Sequence, residues 1–280
     1  MEENSIEIRK STGERVPFSS LKLSDSLHHS GADENTVRSI IEKVEEELYP
    51  GISTREIYNR AYAMLKKKRP VYASKYKLKK AIYELGPTGF PFERFISTLL
   101  QFSGYDTRVG ETVKGKCVSH EIDVLARKNG QTFLIECKFH GEEGRNCNVK
   151  VPLYIHSRFQ DVHAAGKEVL PGFTKPEEGW VVTNTRFTKD AVEYGKCAGL
   201  YLLSWDYPKD DGLRNRIDRL ALYPITVSTM LSQREKQFLL SRDIVLFRQL
   251  YKDTFYLDHL GISENRKTRI LKEVGQLCQL

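Results

Sequence analysis

An α/β fold, α+β in its overall organisation, is the class this 280-residue sequence predicts, and three observations carry it. The first third has two short β-patterned runs followed by helical periodicity. The middle has an Asn-Gly dipeptide between two β-patterned runs, then a strand–helix–strand order that implies a mixed sheet flanked by helices. The last quarter is helical almost throughout. The boundaries are 1–85 (short strands plus a helix bundle), 86–212 (the mixed sheet) and 213–280 (a helical C-terminal tail). A chain of this length can bury a core in each of two or three domains.

Residues 6–10 read as a strand, Gly13 as a turn and 15–18 as a second strand. Helices follow at 20–29, 33–48 and 53–67, the last with Ser53 or Thr54 as its cap and Glu56 in its first turn. Residues 74–85 form a further helical run that ends at the break Gly86-Pro87-Thr88-Gly89. Over 92–102, Phe92, Phe95, Ile96, Leu99 and Leu100 recur at helical spacing and stop at Ser103-Gly104, an amphipathic helix feeding a strand.

Asn129-Gly130 suits a type I′ turn, which needs positive φ at both central residues, so 120–127 and 131–140 pair as a hairpin. Lys128 then faces Gln131, and counting back sets Asp123 opposite Glu136 and Glu121 opposite Lys138. Side chains alternate with period two, so these four share one face. Ile122, Val124, Ala126, Phe133, Ile135 and Cys137 make an apolar surface on the other. A helix after the hairpin carries Gln160. Residues 179–183 are a strand, Thr188 caps a helix to about Ala198, and 200–204 return as a strand parallel to the first. In the tail, 232–240, 244–251 and 265–277 are helical, and 257–274 has a faint helix-hairpin-helix pattern.

Opposed carboxylates roughly 5 Å apart destabilise a sheet unless something compensates them. A divalent cation does so, and Mg²⁺ typically takes one or two protein carboxylates, waters and phosphate oxygens. Lys138, on the same side, can orient a water and stabilise charge on phosphorus. An ordinary solvated hairpin face would carry the same residues, so the spacing alone does not decide.

The net charge of +7 and a pI near 9.0 suit a polyanionic partner, with the densest basic stretch at 66–69 continued by Lys75, Lys77, Lys79 and Lys80. Five cysteines at 117, 137, 147, 197 and 278 form no CxxC pair, which fits reduced thiols in a cytoplasm. No apolar run has membrane-spanning length and the first residues lack a leader pattern, so a cytoplasmic protein without a membrane partner is expected.

Gly89-Phe90-Pro91-Phe92-Glu93, Leu99-Leu100, Gly104-Tyr105, Glu121-Ile122-Asp123-Val124, Ile135-Glu136-Cys137-Lys138 and Val182-Thr183-Asn184 with Arg186-Phe187-Thr188 and Ala191 resemble the Mrr-type restriction endonuclease domain of the PD-(D/E)XK nucleases. The resemblance spans about 86–207. It implies that Asp123 and Glu136 ligate metal, that Lys138 is the catalytic lysine, and that Glu93 completes the site as a third ligand. Ile122 replaces the proline of the superfamily's name, and Gln160 lies about where some relatives carry a motif glutamine.

Ile8-Arg9-Lys10, Gly13, Val16-Pro17-Phe18, Lys22-Leu23, Gly51-Ile52-Ser53-Thr54, and Ala73 with Tyr76 are similar to the ATP-cone of ribonucleotide reductases, over about 4–85. This likeness implies that Arg9, Lys10 and Lys22 contact phosphates, with Thr54 near the nucleotide. One extra residue stands between Lys10 and Gly13. Together the resemblances imply a nucleotide-regulated, Mg²⁺-dependent DNA endonuclease, of restriction type or for related DNA processing, with ATP or dATP as an allosteric effector. No Walker A sequence is present to make the purine nucleoside triphosphate a fuel. The alternative is a non-catalytic ATP- or dATP-responsive DNA-binding regulator. A homodimer or higher oligomer would suit cutting both strands.

Overall fold

The computed structural model of the chain describes residues 6–166 and 168–279. The opening residues read for a leader lie outside them. The chain forms two compact units, one running to residue 81 and taking in 225–238 and the residues from 247 on, the other of 82–224 and 239–246.

In the first unit, β1 (Glu7–Arg9) and β2 (Arg15–Pro17) pair antiparallel with Ile8 opposite Val16. Helices α1 (Ser20–His29), α2 (Glu34–Glu46) and α3 (Thr54–Lys68) each begin at a side-chain cap. Ser19, Asp33 and Ser53 accept the backbone N–H of Lys22, Thr36 and Glu56, satisfying donors that a first helical turn leaves open. Ser53 is therefore the cap of α3, and Thr54 its first helical residue. Leu27, Ile40, Val44, Ala61 and Leu65 are fully buried in the shared core. The run expected as one helix at 74–85 is two, α4 (Pro70–Tyr76) and α5 (Leu78–Tyr83), and it starts at a proline whose missing N–H is no loss in a first turn. Lys77 stands at the break, its ammonium buried and donating to the Thr226 carbonyl at 3.0 Å.

The second unit opens with α6 (Phe90–Phe102), followed by β3 (Asp106–Lys114), β4 (Ser119–Lys128) and β5 (Gln131–Lys138). After β6 (Asn146–Cys147) and α7 (Lys150–Ala164) come β7 (Pro176–Thr183), β8 (Arg186–Phe187), α8 (Lys189–Cys197) and β9 (Tyr201–Leu203). The main sheet has the order β3-β4-β5-β7-β9, antiparallel among the first three strands and parallel among the last three. β6 and β8 make a small parallel pair beside it. Asn129 and Gly130 take φ of +52° and +80°, the double positive φ that the Asn-Gly pair was expected to supply. Against one side of the sheet α7 sets Ile155 on Val181, Leu200 and Leu202, and Val162 on Leu125 and Leu134. The charged side of the hairpin is thus covered by a helix over half its length, and this burial, absent from a free hairpin, is what desolvates its carboxylates. An aromatic row of Tyr105, Phe133, Trp180 and Tyr201 crosses the strands, with neighbouring ring centroids 4.4–5.8 Å apart.

The rest of the chain forms α9 (Leu213–Leu220), α10 (Gln233–Leu240), α11 (Gln249–Lys252), α12 (Phe255–His259) and α13 (Glu264–Cys278). The stretch 213–280, expected as one tail, divides between the two compact units. The helix expected at 244–251 is cut to Gln249–Lys252, because Leu246 bridges Pro224 antiparallel and a turn at 247–248 separates the bridge from the helix. Within the first unit α13 buries Glu273, whose carboxylate accepts from Ser74 Oγ, Ser228 Oγ and Thr229 Oγ1, each at 2.8 Å. Among the described residues no helix is long and apolar enough to cross a membrane.

Candidate nuclease site

The β4–β5 ladder keeps the expected register, from Lys128↔Gln131 to Val124↔Ile135, and ends there. One step further, where Asp123 was expected directly opposite Glu136 and Glu121 opposite Lys138, neither pair is formed. β4 continues with β3 to Lys114↔Ser119, while β5 continues with β7 to Lys138↔Thr183, so the two strands part company. The Asp123 carboxylate spans the opening and accepts the Cys137 N–H at 2.7 Å. Arg158 of α7 closes it from the other side, donating to the Glu121 carbonyl at 3.0 Å and to the Glu136 carboxylate at 2.5 Å. The split leaves backbone groups that a continuous ladder would have paired, such as the Cys137 N–H and the Glu121 carbonyl, to be taken by the side chains of Asp123 and Arg158.

Asp123, Glu136 and Glu93 are close enough to one another to shift their titration. Burial and the neighbouring Asp123 push the Glu136 carboxyl up to about 7, against the opposing pull of Arg158 and Lys138. Glu93, in the first turn of α6, is pushed up to about 7 by burial, then by Asp123 and Glu121. Burial also raises Asp123, outweighing the Cys137 N–H and Arg158. A compact group of desolvated, mutually repelling carboxylates fits a hard cation, which would restore their charged forms. Among the described residues, however, no set of three or more His, Cys, Asp or Glu side chains is drawn together tightly enough to hold an ion. Glu93 turns back over the start of its own helix, its Oε1 lying 3.2 Å from where a Cβ on Gly89 would stand.

The end of β7 fixes the backbone beside Lys138. Thr183 Oγ1 donates to the Lys138 carbonyl at 2.7 Å, and the buried Asn184 amide donates to the His140 carbonyl and accepts its N–H, both at 2.8 Å. Burial, then Lys138 and Arg145, push the His140 imidazole below its ordinary value, and its buried Nε2 has no hydrogen-bond partner among the described residues.

Sequence reasoning missed Arg158 and the roles of Thr183, Asn184 and Asp161. Gln160 does not reach the site: it is exposed and contacts His156 Nε2 at 3.1 Å, one turn back along α7. Arg158, two residues earlier, is the α7 side chain on Glu136. A guanidinium two positions before the watched glutamine was visible in the sequence, but only the phase of α7 against the sheet distinguishes the two. Asp161 clamps the β3–β4 turn instead, accepting from Cys117 N at 2.8 Å and Val118 N at 3.3 Å and bonding His120 Nε2 at 2.8 Å.

In the first unit, β1 sets Arg9 beside the start of α3: its N–H donates to the Ile52 carbonyl at 2.9 Å and its backbone bridges Ser53. Thr54 opens the helix next to it. Lys10 is exposed to its turn and pairs with Glu14 at 2.9 Å, and Lys22 is exposed in the first turn of α1. Arg9 and Thr54 are thus brought together by backbone pairing, whereas the Lys10 ammonium is held by a carboxylate.

This fold and site define a nuclease-like domain joined to a domain of the nucleotide-binding cone type. Residues 87–206 match the family model described as "Restriction endonuclease", residues 6–84 the ATP cone domain, and residues 223–278 the model described as "AF1548-like, C-terminal". An uncharacterised protein of Archaeoglobus fulgidus is 37% identical over 132 residues, 47% of this chain and 70% of that protein. The crystal structure of a protein of unknown function, AF1548, superposes with a TM-score of 0.56 at 27% identity, covering 69% of this chain and 99% of that one. The chain belongs to the Mrr-type restriction endonuclease family, and it joins that domain to an ATP cone and an AF1548-like C-terminal domain.

Proposed function

We propose that the protein is a nucleotide-regulated, metal-dependent DNA endonuclease. The observation that carries this reading is the meeting of desolvated Asp123, Glu136 and Glu93 with the Lys138 cation where β4 and β5 separate. Asp123 and Glu136 would hold Mg²⁺, with Glu93 able to extend toward it. When bound, the ion neutralises phosphate charge and acidifies water. Lys138 orients the attacking water and stabilises charge developing on phosphorus. Thr183 holds the Lys138 backbone and Asn184 that of His140, which fixes the point from which the lysine side chain reaches the phosphate. Arg9, Lys10, Lys22 and Thr54 would bind the triphosphate of ATP or dATP, with Lys10 exchanging Glu14 for phosphate. The nucleotide acts as an effector of cutting.

The test is incubation of supercoiled and methylated plasmid with Mg²⁺, with and without ATP or dATP, for wild type and Lys138→Ala. Cleavage by wild type and none by the variant is expected; equal inertness under every condition sinks the catalytic reading. One observation favours a second reading, a non-catalytic ATP- or dATP-responsive DNA-binding regulator: the Arg158 guanidinium already occupies Glu136. In that case DNA retention changes with nucleotide while no strand is cut.

A further inference from the structure

Within the first unit a cavity of about 670 Å³ lies between the α3–α4 junction and α13. Lys68 and Arg69 stand on one wall, Arg269 and Lys272 on the other. None of these four cations is within ion-pair distance of a carboxylate among the described residues, although exposed cations elsewhere, such as Lys10, Lys43 and Arg145, have such partners. The carboxylate at the cavity, Glu273, has its oxygens directed inward to Ser74, Ser228 and Thr229, so it does not neutralise them by contact. The Asp33 carboxylate acts on Arg69 from beyond contact, and cations held out of contact with any carboxylate repel one another, which an anion relieves. Between the charged walls lie the apolar parts of Pro70, Tyr72 and Met230, with the Gln276 amide at the edge. Arg69 sits over the Tyr72 ring at 5.5 Å, which holds its guanidinium fork at the wall.

We propose that this cavity binds a compact phosphorylated molecule, its phosphates on Arg69, Lys68, Arg269 and Lys272 and its less polar part against Tyr72 and Met230. The volume falls in the range usual for small-molecule sites, and paired guanidinium and ammonium groups suit a phosphate chain. The site is separate from the one built on Arg9 and Thr54. Thr54 begins α3 and Lys68 ends it, and a helix of 15 residues sets them roughly 20 Å apart. Its cations come jointly from the cone and from the C-terminal helix, so neither domain alone supplies it.

The experiment is calorimetric titration of the full chain with inorganic triphosphate, and separately with ATP, at fixed ionic strength. Three proteins are compared: wild type, Arg269→Ala with Lys272→Ala, and Arg9→Ala with Lys10→Ala. All four positions are exposed or half-exposed, so circular dichroism and thermal melting of the variants should match wild type. The α13 variant is expected to bind inorganic triphosphate at least about tenfold more weakly, as loss of two charge-assisted contacts requires. The Arg9/Lys10 variant should lose any triphosphate held by the cone and keep one triphosphate site per chain, at the cavity, and if it also retains all ATP binding, the cone reading fails while the cavity stands. Unchanged triphosphate affinity and stoichiometry in the α13 variant overturns the proposal. So does a variant that loses affinity for a short DNA duplex but not for triphosphate, which would make these cations a nucleic-acid contact.

Discussion

The two candidate sites have opposite charge and opposite exposure. At the β4–β5 split, negative groups are desolvated, repel one another and are countered by an arginine. Around Arg9 and Thr54, positive groups lie near the surface, and of Arg9, Lys10 and Lys22 it is Lys10 that pairs with a carboxylate among the described residues. Charge in a low-dielectric site is costly unless a counter-charge or a proton relieves it, and Arg158 and the raised carboxyls do both; hydrated charge can wait unpaired. The nuclease-like site should therefore respond to ligand removal as a stability change, and the cone as a change in affinity alone.

The strongest break of this contrast is Asp123→Ala. It removes a proposed metal ligand and the acceptor of the Cys137 N–H, a bond that joins β4 directly to β5 across the split. Cleavage should fall by at least about 10²-fold, the scale for losing one group that stabilises transition-state charge. Single-turnover plasmid cleavage checks it, and a variant cutting at wild-type rate removes Asp123 from the site.

Arg158→Ala comes next. The Arg158–Glu136 pair is 15% and 19% exposed, so its loss leaves a carboxylate poorly solvated and should cost about 2 kcal/mol in chelator, less than a fully buried pair. Mg²⁺ should stabilise this variant more than wild type, because the ion takes over the arginine's role. Urea unfolding with chelator and with Mg²⁺ measures both. An equal Mg²⁺ increment in the two proteins would show that the ion does not sit at Glu136.

Arg158 also marks the limit of what the sequence could say. The Asn-Gly turn fixed the register as far as Val124↔Ile135, because turn geometry and alternating burial act locally and both point the same way. Where the ladder ends depends on which outer strand each inner one follows. β4 is held by β3, and β5 by β7 across a helix and some forty residues, so the divergence at Asp123 has no local signal. The caps at Ser19, Asp33, Ser53 and Thr188 lie where short-range hydrogen bonding put them. The bridge at Leu246 does not, since its pairing with Pro224 overrides a helical pattern.

A smaller effect is the pH dependence. Glu136 and Glu93 titrate near 7 in the fold against 4.5 when free. The folded chain thus holds protons that the unfolded chain has released, so these groups favour folding below pH 4.5, and their contribution is lost as pH rises through about 7. Melting temperature in chelator should fall over that window, with a shallower slope for Glu136→Gln. Mg²⁺ at pH 8 should recover part of the loss. A Glu136→Gln slope equal to wild type would mean that this carboxyl is not the one titrating.

The smallest effect separates structure from binding in the cone. Ser53→Ala deletes the cap that accepts the Glu56 N–H at 3.1 Å and should cost about 1 kcal/mol of stability. Thr54→Ala leaves that cap intact and removes only a hydroxyl from the start of the helix. Its urea midpoint should stay at the wild-type value while ATP affinity drops, by the factor one neutral hydrogen bond supplies, about fivefold. If Thr54→Ala instead shifts the midpoint and leaves ATP affinity alone, the hydroxyl serves the helix. The nucleotide contacts would then have to come from Arg9, Lys10 and Lys22 without it.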